Sequence, residues 1–203
     1  MTKRVDFYFD FISPFGYLAS LRIDEMAARH GHTCDWHAML LGVSVLKVMG
    51  MKPLPQTPLK GAYLKRDLAR YLSRRGLVLA RDLNHPPPKP RPAARAFPGL
   101  TAHDAALARR VAQALFHALW MEDRDIGDPA VATSVAVAQG ADDAFVRRAI
   151  ATGGEGDQAL RAAVEASLAR GVFGSPFFMV GEEPFFGLEK MELVEEWITD
   201  GGW

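Results

Sequence analysis

The chain has one cysteine, Cys34, among its 203 residues. A single thiol cannot close an intramolecular disulfide, so the fold is expected not to depend on oxidation, which suits a reducing compartment. Net charge is missing as well, with 24 Lys and Arg against 24 Asp and Glu. The two signs are mixed along the chain, which leaves no basic face for nucleic acid or for an anionic membrane. Long apolar runs are absent too. The stretch behind Lys3 and Arg4 is cut by Asp6 and Asp10. It lacks the roughly 7–15 uninterrupted apolar residues of a secretory signal. Nowhere is there a run of about 20 that could span a bilayer. The expected localisation is cytoplasmic, with no nucleic-acid or membrane partner. His30 and His32 lie near a helix end without convergent partners, so no metal site is expected.

What the chain does contain is two kinds of periodicity. In "VDFYFDFI", Val5, Phe7, Phe9 and Phe11 alternate with Asp6, Tyr8 and Asp10, the period of a strand over residues 5–12. Ser13 and Pro14 follow, a favoured helix cap and a favoured first helical residue. The spacing predicts one helix from there to about Gly31, then a second strand from about Cys34 to Leu41. Strand, helix, strand implies a right-handed crossover and a parallel pair. Cys34 itself reads as a small buried apolar residue.

The middle of the chain is helical and alanine-rich. Helices are predicted over residues 59–75, 101–122, 129–139, 142–152 and 158–170, the last closed by Gly171. Between the first two lie Pro86, Pro87, Pro88, Pro90, Pro92 and Pro98, a density that predicts a loop over residues 84–98. Strand character returns in "VFGSPFFMV", and "EEPFFG" reads as a hairpin return. An amphipathic helix ends the chain with Met191, Val194, Trp197 and Ile198 on one face. The expected fold is α/β: a thioredoxin-like domain built from residues 1–42 and 171–203, with an all-helical insertion over residues 43–170.

Two positions stand out chemically. Ser13 sits where a strand hands over to a helix, a place where free backbone N–H groups and a hydroxyl can meet an anion. Plain helix capping would also explain it. Pro176 stands at the head of a strand although it cannot donate to a ladder; a cis bond after Ser175 or an edge position would account for it.

"DFISPFGY" opening a helix, joined to "GVFGSPFF" near the other end, resembles the family of 2-hydroxychromene-2-carboxylate isomerases. These are relatives of the kappa-class glutathione transferases and of the DsbA-type thioredoxin fold. "LLG" at Leu40–Gly42, "KGAYLKRDL" at Lys60–Leu68 and "ALFHALWMEDRDIGDPAV" at Ala114–Val131 look like further family segments. The resemblance implies that Ser13 is the serine that activates the thiol of glutathione. It occupies the place where disulfide oxidoreductases of this fold keep the first cysteine of C-x-x-C. The same resemblance implies that Pro176 is cis and that the Ser175 backbone pairs with the cysteinyl part of glutathione. Lys60 would hold a charged end of the peptide. Glu189, beside Leu188, would meet the γ-glutamyl amine. Phe11, Phe15 and Met51 are candidate walls of an aromatic substrate pocket.

This chain departs from the family pattern at ligand-facing segments. Met51 follows Gly50 where the family has asparagine. Leu188 stands where glutamine or asparagine is usual, and "KPRP" at Lys89–Pro92 replaces the usual "F-P-x-N". The expected activity is a glutathione-dependent isomerisation of 2-hydroxychromene-2-carboxylate to its ring-opened trans form, with glutathione as cofactor, a small aromatic substrate and a homodimeric assembly. A kappa-type transferase or peroxidase would share the glutathione half of the site. A silent glutathione-binding module would fit Met51 and Leu188. A disulfide oxidoreductase is excluded by Ser13-Pro14-Phe15-Gly16 in place of C-x-x-C.

Overall fold

The computed structural model describes residues 4–203; residues 1–3, Lys3 among them, lie outside the described residues. The first strand, β1, spans Arg4–Phe9. Val5, Phe7 and Phe9 are fully buried on one face. Asp6 and Tyr8 are buried on the other, so β1 is central rather than half-solvated. It runs parallel to β2 (Thr33–Ala38) and antiparallel to β3 (Phe177–Val180), which pairs in turn with β4 (Glu183–Phe186). The sheet order is β2-β1-β3-β4. "VDFYFDFI" and "VFGSPFFMV" therefore lie side by side, and Phe7 faces Trp36 on one neighbour and Phe178 on the other. This is the DsbA-like thioredoxin arrangement, α/β with a mixed sheet.

Between β1 and β2 run α1 (Pro14–Ser20) and α2 (Ile23–Arg29). The single helix expected over residues 13–31 is broken at Leu21 and Arg22, where Arg22 takes φ −134. The break lets α1 pack on the helical layer while α2 turns its buried Ile23, Met26 and Ala27 onto β1 and β2. After β2 come a short turn, α3 (Leu41–Val43), a π-helical turn at Ser44–Val48 and a 3₁₀ turn at Leu54–Gln56. Then follow α4 (Lys60–Arg74), α5 (Arg91–His103), α6 (Ala105–Met121), α7 (Pro129–Ala138), α8 (Asp143–Ile150) and α9 (Glu155–Ala169). After β4 the chain closes with a 3₁₀ turn, Leu188–Lys190, and α10 (Met191–Asp200).

The predicted loop over residues 84–98 is corrected by α5. Its first turn holds Pro92, where a missing N–H is harmless, and Pro98 sits inside it. An interior proline normally costs a helix about 3 kcal/mol. Here α5 is the most buried helix of the layer, with Ala93, Ala94, Ala96, Phe97 and Leu100 all in the core. Burial of that face outweighs the lost donor. The single helix expected over residues 101–122 is also two. Asp104 leaves helical geometry and caps α6, its carboxylate accepting from the N–H groups of Ala106 and Leu107.

One apolar cluster joins the sheet to the helical layer. Phe9 lies edge-on to Phe97 and Phe11, with Phe116 and Trp36 around it. Burying each such ring stabilises the fold by about 1.5–3 kcal/mol. The opposite sheet face carries a charge. Asp6, buried, accepts from Arg170 Nη1 at 2.8 Å and lies 2.9 Å from His37 Nε2. Among the described residues no helix is long and apolar enough to cross a membrane.

Candidate active site

The site forms where β1 ends. Past Phe9 the backbone turns, and the Ser13 N–H donates to the Asp10 carbonyl at 3.0 Å. Ser13 is extended, at φ −91 and ψ 113, and caps α1: its Oγ accepts from the Gly16 N–H at 3.0 Å. With a lone pair so used, the hydroxyl proton is aimed elsewhere. It goes to the Ser175 carbonyl, at 2.7 Å. The Ser175–Pro176 bond is cis. Pro176, having no N–H, leaves the ladder to begin at Phe177.

Asp10 ties these pieces together. Its N–H donates to the Ser175 Oγ at 2.9 Å. Its buried carboxylate accepts from the N–H of Leu41 at 2.7 Å and of Ile12 at 3.2 Å. Burial pushes the Asp10 carboxyl up to about 6, against the pull of those two N–H groups. Gly16 is required in this crowded corner: a Cβ there would stand 2.8 Å from the Ser175 Oγ and 3.2 Å from the Ser13 Cβ. Gly174 is required as well, since a Cβ would enter the Phe186 ring.

The Pro176 carbonyl accepts from the Gly187 N–H at 3.1 Å. That bond leads directly to Leu188 and Glu189, whose 3₁₀ turn packs on α1. Ser13, Ser175, Pro176, Leu188 and Glu189 are thus brought together along one continuous edge. Leu188 is 4% exposed and belongs to the core, so its side chain offers no polar contact, while Glu189 is exposed. Phe15 is half-buried with its ring edge-on to Tyr71, 6.0 Å between centroids. Phe11 is a correction: its ring is 1% exposed and packs on Phe9 and Phe116, so it is core rather than pocket wall. Its contribution is through the backbone, where the Phe11 carbonyl accepts from Trp120 Nε1. Lys60, the first residue of α4, and Met51 are exposed on the segment after β2. Among the described residues neither bonds to Ser13, Ser175 or Glu189.

Next to Glu189 a cleft of about 320 Å³ opens between the α1–α2 junction, the end of α4 and the start of α10. Its walls include Arg22, Tyr71, Arg74 and Arg75, none of which is picked out by sequence reading. The Asp10 hub has no local signal beyond a carboxylate inside an apolar strand pattern. No group of three or more His, Cys, Asp or Glu among the described residues could hold a metal. His30 bridges α2 to α10 through Glu195 and Thr199. Burial pushes the Cys34 thiol up, which keeps it unreactive.

The family model of the DSBA-like thioredoxin domain matches residues 4–199. A 2-hydroxychromene-2-carboxylate isomerase from Pseudomonas putida is 30% identical over 94% of this chain and 92% of its own length. The chain belongs to this family. Another 2-hydroxychromene-2-carboxylate isomerase, from Sphingobium xenophagum, is 28% identical over 98% of this chain and all of its own. A solved 2-hydroxychromene-2-carboxylate isomerase superposes with a TM-score of 0.80 at 26% identity, covering 95% of this chain and 93% of that one. The cytosolic disulfide reductase DsbM from Pseudomonas aeruginosa, solved with GSH, shares the fold at a TM-score of 0.64 and 16% identity, over 97% and 96% of the two chains. These 2-hydroxychromene-2-carboxylate isomerase relatives support an isomerase function for the chain.

Proposed function

We propose that this protein is a glutathione-dependent isomerase that converts 2-hydroxychromene-2-carboxylate to its ring-opened trans benzylidenepyruvate form, with Ser13 as the catalytic residue. The observation that carries the reading is the Ser13 hydroxyl set 2.7 Å from the backbone of Ser175. The donor set suits glutathione: a hydroxyl for sulfur, a strand-like backbone edge for the peptide, and carboxylate and ammonium groups at Glu189 and Lys60 for its charged ends. Bound glutathione supplies a nucleophilic thiolate for transient addition to a conjugated double bond.

The chain's part is to hold that thiolate at neutral pH. Because Gly16 already donates to Ser13 Oγ, the hydroxyl can swing its proton from the Ser175 carbonyl to sulfur without losing its own support. A hydrogen bond to a charged group is worth about 1.5–3 kcal/mol. At about 1.4 kcal/mol per pKa unit, this lowers a thiol from near 8.5 into the neutral range. With only seven residues, α1 adds little by its dipole, so the hydroxyl dominates. The freed Ser175 carbonyl then becomes available to the peptide. Phe15, half-buried and two residues past Ser13, would serve as an aromatic wall for the substrate.

The buried Leu188 and the thioether of Met51 favour a second reading, a glutathione binder without turnover. Following 2-hydroxychromene-2-carboxylate isomerisation with and without glutathione separates them. Glutathione-dependent turnover that Ser13→Ala cuts about 10- to 100-fold supports the isomerase. Binding without turnover supports the silent module, and no glutathione binding refutes both.

A further inference from the structure

Three cations gather around the 320 Å³ cleft without forming an ion pair among the described residues. Arg22 stands at the break between α1 and α2, while Arg74 and Arg75 close α4. Among the described residues none of the three has a carboxylate within ion-pairing distance. Arg75 is half-buried, lies 5.6 Å over the Tyr71 ring and directs Nη1 at the Tyr71 carbonyl, a marginal 3.5 Å contact. Desolvation, then the like charges of Arg22 and Arg74, press its guanidinium toward losing its proton. Half-buried guanidiniums crowded together are relieved by an anion that enters between them, and a carboxylate matches their planar fork. The facing wall is acidic, with Glu189 and Glu192. One cleft therefore presents guanidiniums on one side and carboxylates on the other. That is the complement of an α-amino-acid head group, which carries an ammonium and a carboxylate on one carbon.

The walls of the cleft touch residues that adjoin Ser13 and Pro176. Phe15, two residues past Ser13, lays its ring against Tyr71 in the cleft wall. From the other side the Pro176–Gly187 hydrogen bond leads into Leu188 and Glu189. An extended group the length of three residues spans about 10 Å, enough to connect two adjoining sites of this kind.

We propose that Arg22 and Arg75, assisted by the more exposed Arg74, clamp the α-carboxylate of the γ-glutamyl end of glutathione while Glu189 meets the ammonium on the same carbon. This rests on the glutathione reading and deepens it. It accounts for Leu188: the polar side chain this position lacks is replaced by guanidiniums from α4 and the α1–α2 junction. The arginines are binding residues remote from the sulfur, so they set affinity rather than chemistry.

The test is calorimetric titration with glutathione and with cysteinylglycine, which lacks the γ-glutamyl group. The proteins are wild type, Arg22→Gln, Arg75→Gln, the double variant and Arg75→Lys. Loss of one or two charge-assisted hydrogen bonds should weaken glutathione binding about 10- to 100-fold in the double variant. Cysteinylglycine affinity should stay as in wild type, so the preference for glutathione collapses. Arg75→Lys should recover part of it. In turnover assays the same variants should raise the half-saturating glutathione concentration and leave kcat at saturation unchanged. If the double variant keeps the wild-type preference, the clamp is refuted and the glutathione reading stands. If wild type binds no glutathione, both fall. Should Arg75→Gln lose its cooperative melt, Arg22→Gln decides alone, because Arg22 has no side-chain hydrogen bond among the described residues; an unchanged preference there overturns the proposal.

Discussion

The Ser13 hydroxyl and the Ser175 carbonyl meet at 2.7 Å although 162 residues separate them in the chain. One is a helix cap at the start of the fold. The other precedes a proline at the head of the third strand. Their contact joins the N-terminal and C-terminal halves of the sheet at the point where we place the chemistry.

Ser13→Ala separates the cap from the catalyst. Losing the hydroxyl that accepts from Gly16 should cost about 1 kcal/mol of stability. As the donor to sulfur, its loss should cut turnover about 10- to 100-fold, equivalent to 1.5–3 kcal/mol, and raise the pKa of bound glutathione. Thiolate absorbance against pH, beside a urea unfolding curve, reads both. A variant that loses only stability would reduce Ser13 to a helix cap.

Asp10 predicts a pH dependence of folding. Its folded pKa of about 6 lies above the ordinary 3.8. Between those values the folded protein holds a proton that the unfolded chain has released. Stability from this group therefore falls as pH rises from about 4 to about 6 and levels off above. Two units correspond to about 3 kcal/mol. Asp10→Asn removes the titration. The wild-type stability minus that of the variant should drop by about 3 kcal/mol between pH 4 and pH 7 in urea denaturation. A constant difference would mean that the carboxyl titrates normally.

Gly16 and Ser175 should be energetically coupled. In Gly16→Ala the new methyl meets the Ser175 Oγ, which must leave the Asp10 N–H. Overpacking of this kind costs about 1–3 kcal/mol. In a Ser175→Ala background the obstructing oxygen is gone, and Gly16→Ala should cost at least about 1 kcal/mol less. A double-mutant cycle by chemical denaturation measures this directly. Strict additivity would show that the two groups do not compete for space.

On the far sheet face, Arg170 bonds to Asp6, to the Tyr8 hydroxyl and to the Gly181 carbonyl. Burial would raise the Asp6 carboxyl, but the His37 and Arg170 hydrogen bonds prevail and hold it at about 2. A depressed acid stabilises the fold above its unfolded pKa of 3.8 and loses that contribution as pH falls toward 2. Arg170→Gln should cost about 1–3 kcal/mol at pH 7, toward the lower end because Arg170 is partly exposed. It should also move the acid-unfolding midpoint to higher pH. An unchanged midpoint, followed by circular dichroism, would remove Arg170 from this role.

Local signals along the chain were enough for part of this fold. The alternation in "VDFYFDFI", the serine–proline helix start and the glycine after the last long helix act through short-range sterics and hydrogen bonding. The structure has a strand in this alternation, although β1 ends at Phe9 rather than at residue 12, and it has the Ser13 cap and Gly171 at φ +76. A proline heading a strand is likewise a local oddity, since it lacks a donor wherever the strand is placed. Tertiary packing decided the rest. Local rules made residues 84–98 a loop, yet the apolar face of α5 is buried deeply enough to carry Pro98 inside a helix. The break at Arg22 arises because two layers must be reached by consecutive segments, and the restart at Asp104 lets α6 fold back against α5. Phe11 looked like a pocket wall beside Ser13, and packing against Phe116 drew it into the core. The Asp10 hub depends on Ser175, 165 residues away, and the arginine cleft on residues from four separate segments. Such convergence has no period or spacing in the chain, because the groups become neighbours only when the apolar faces have chosen their partners.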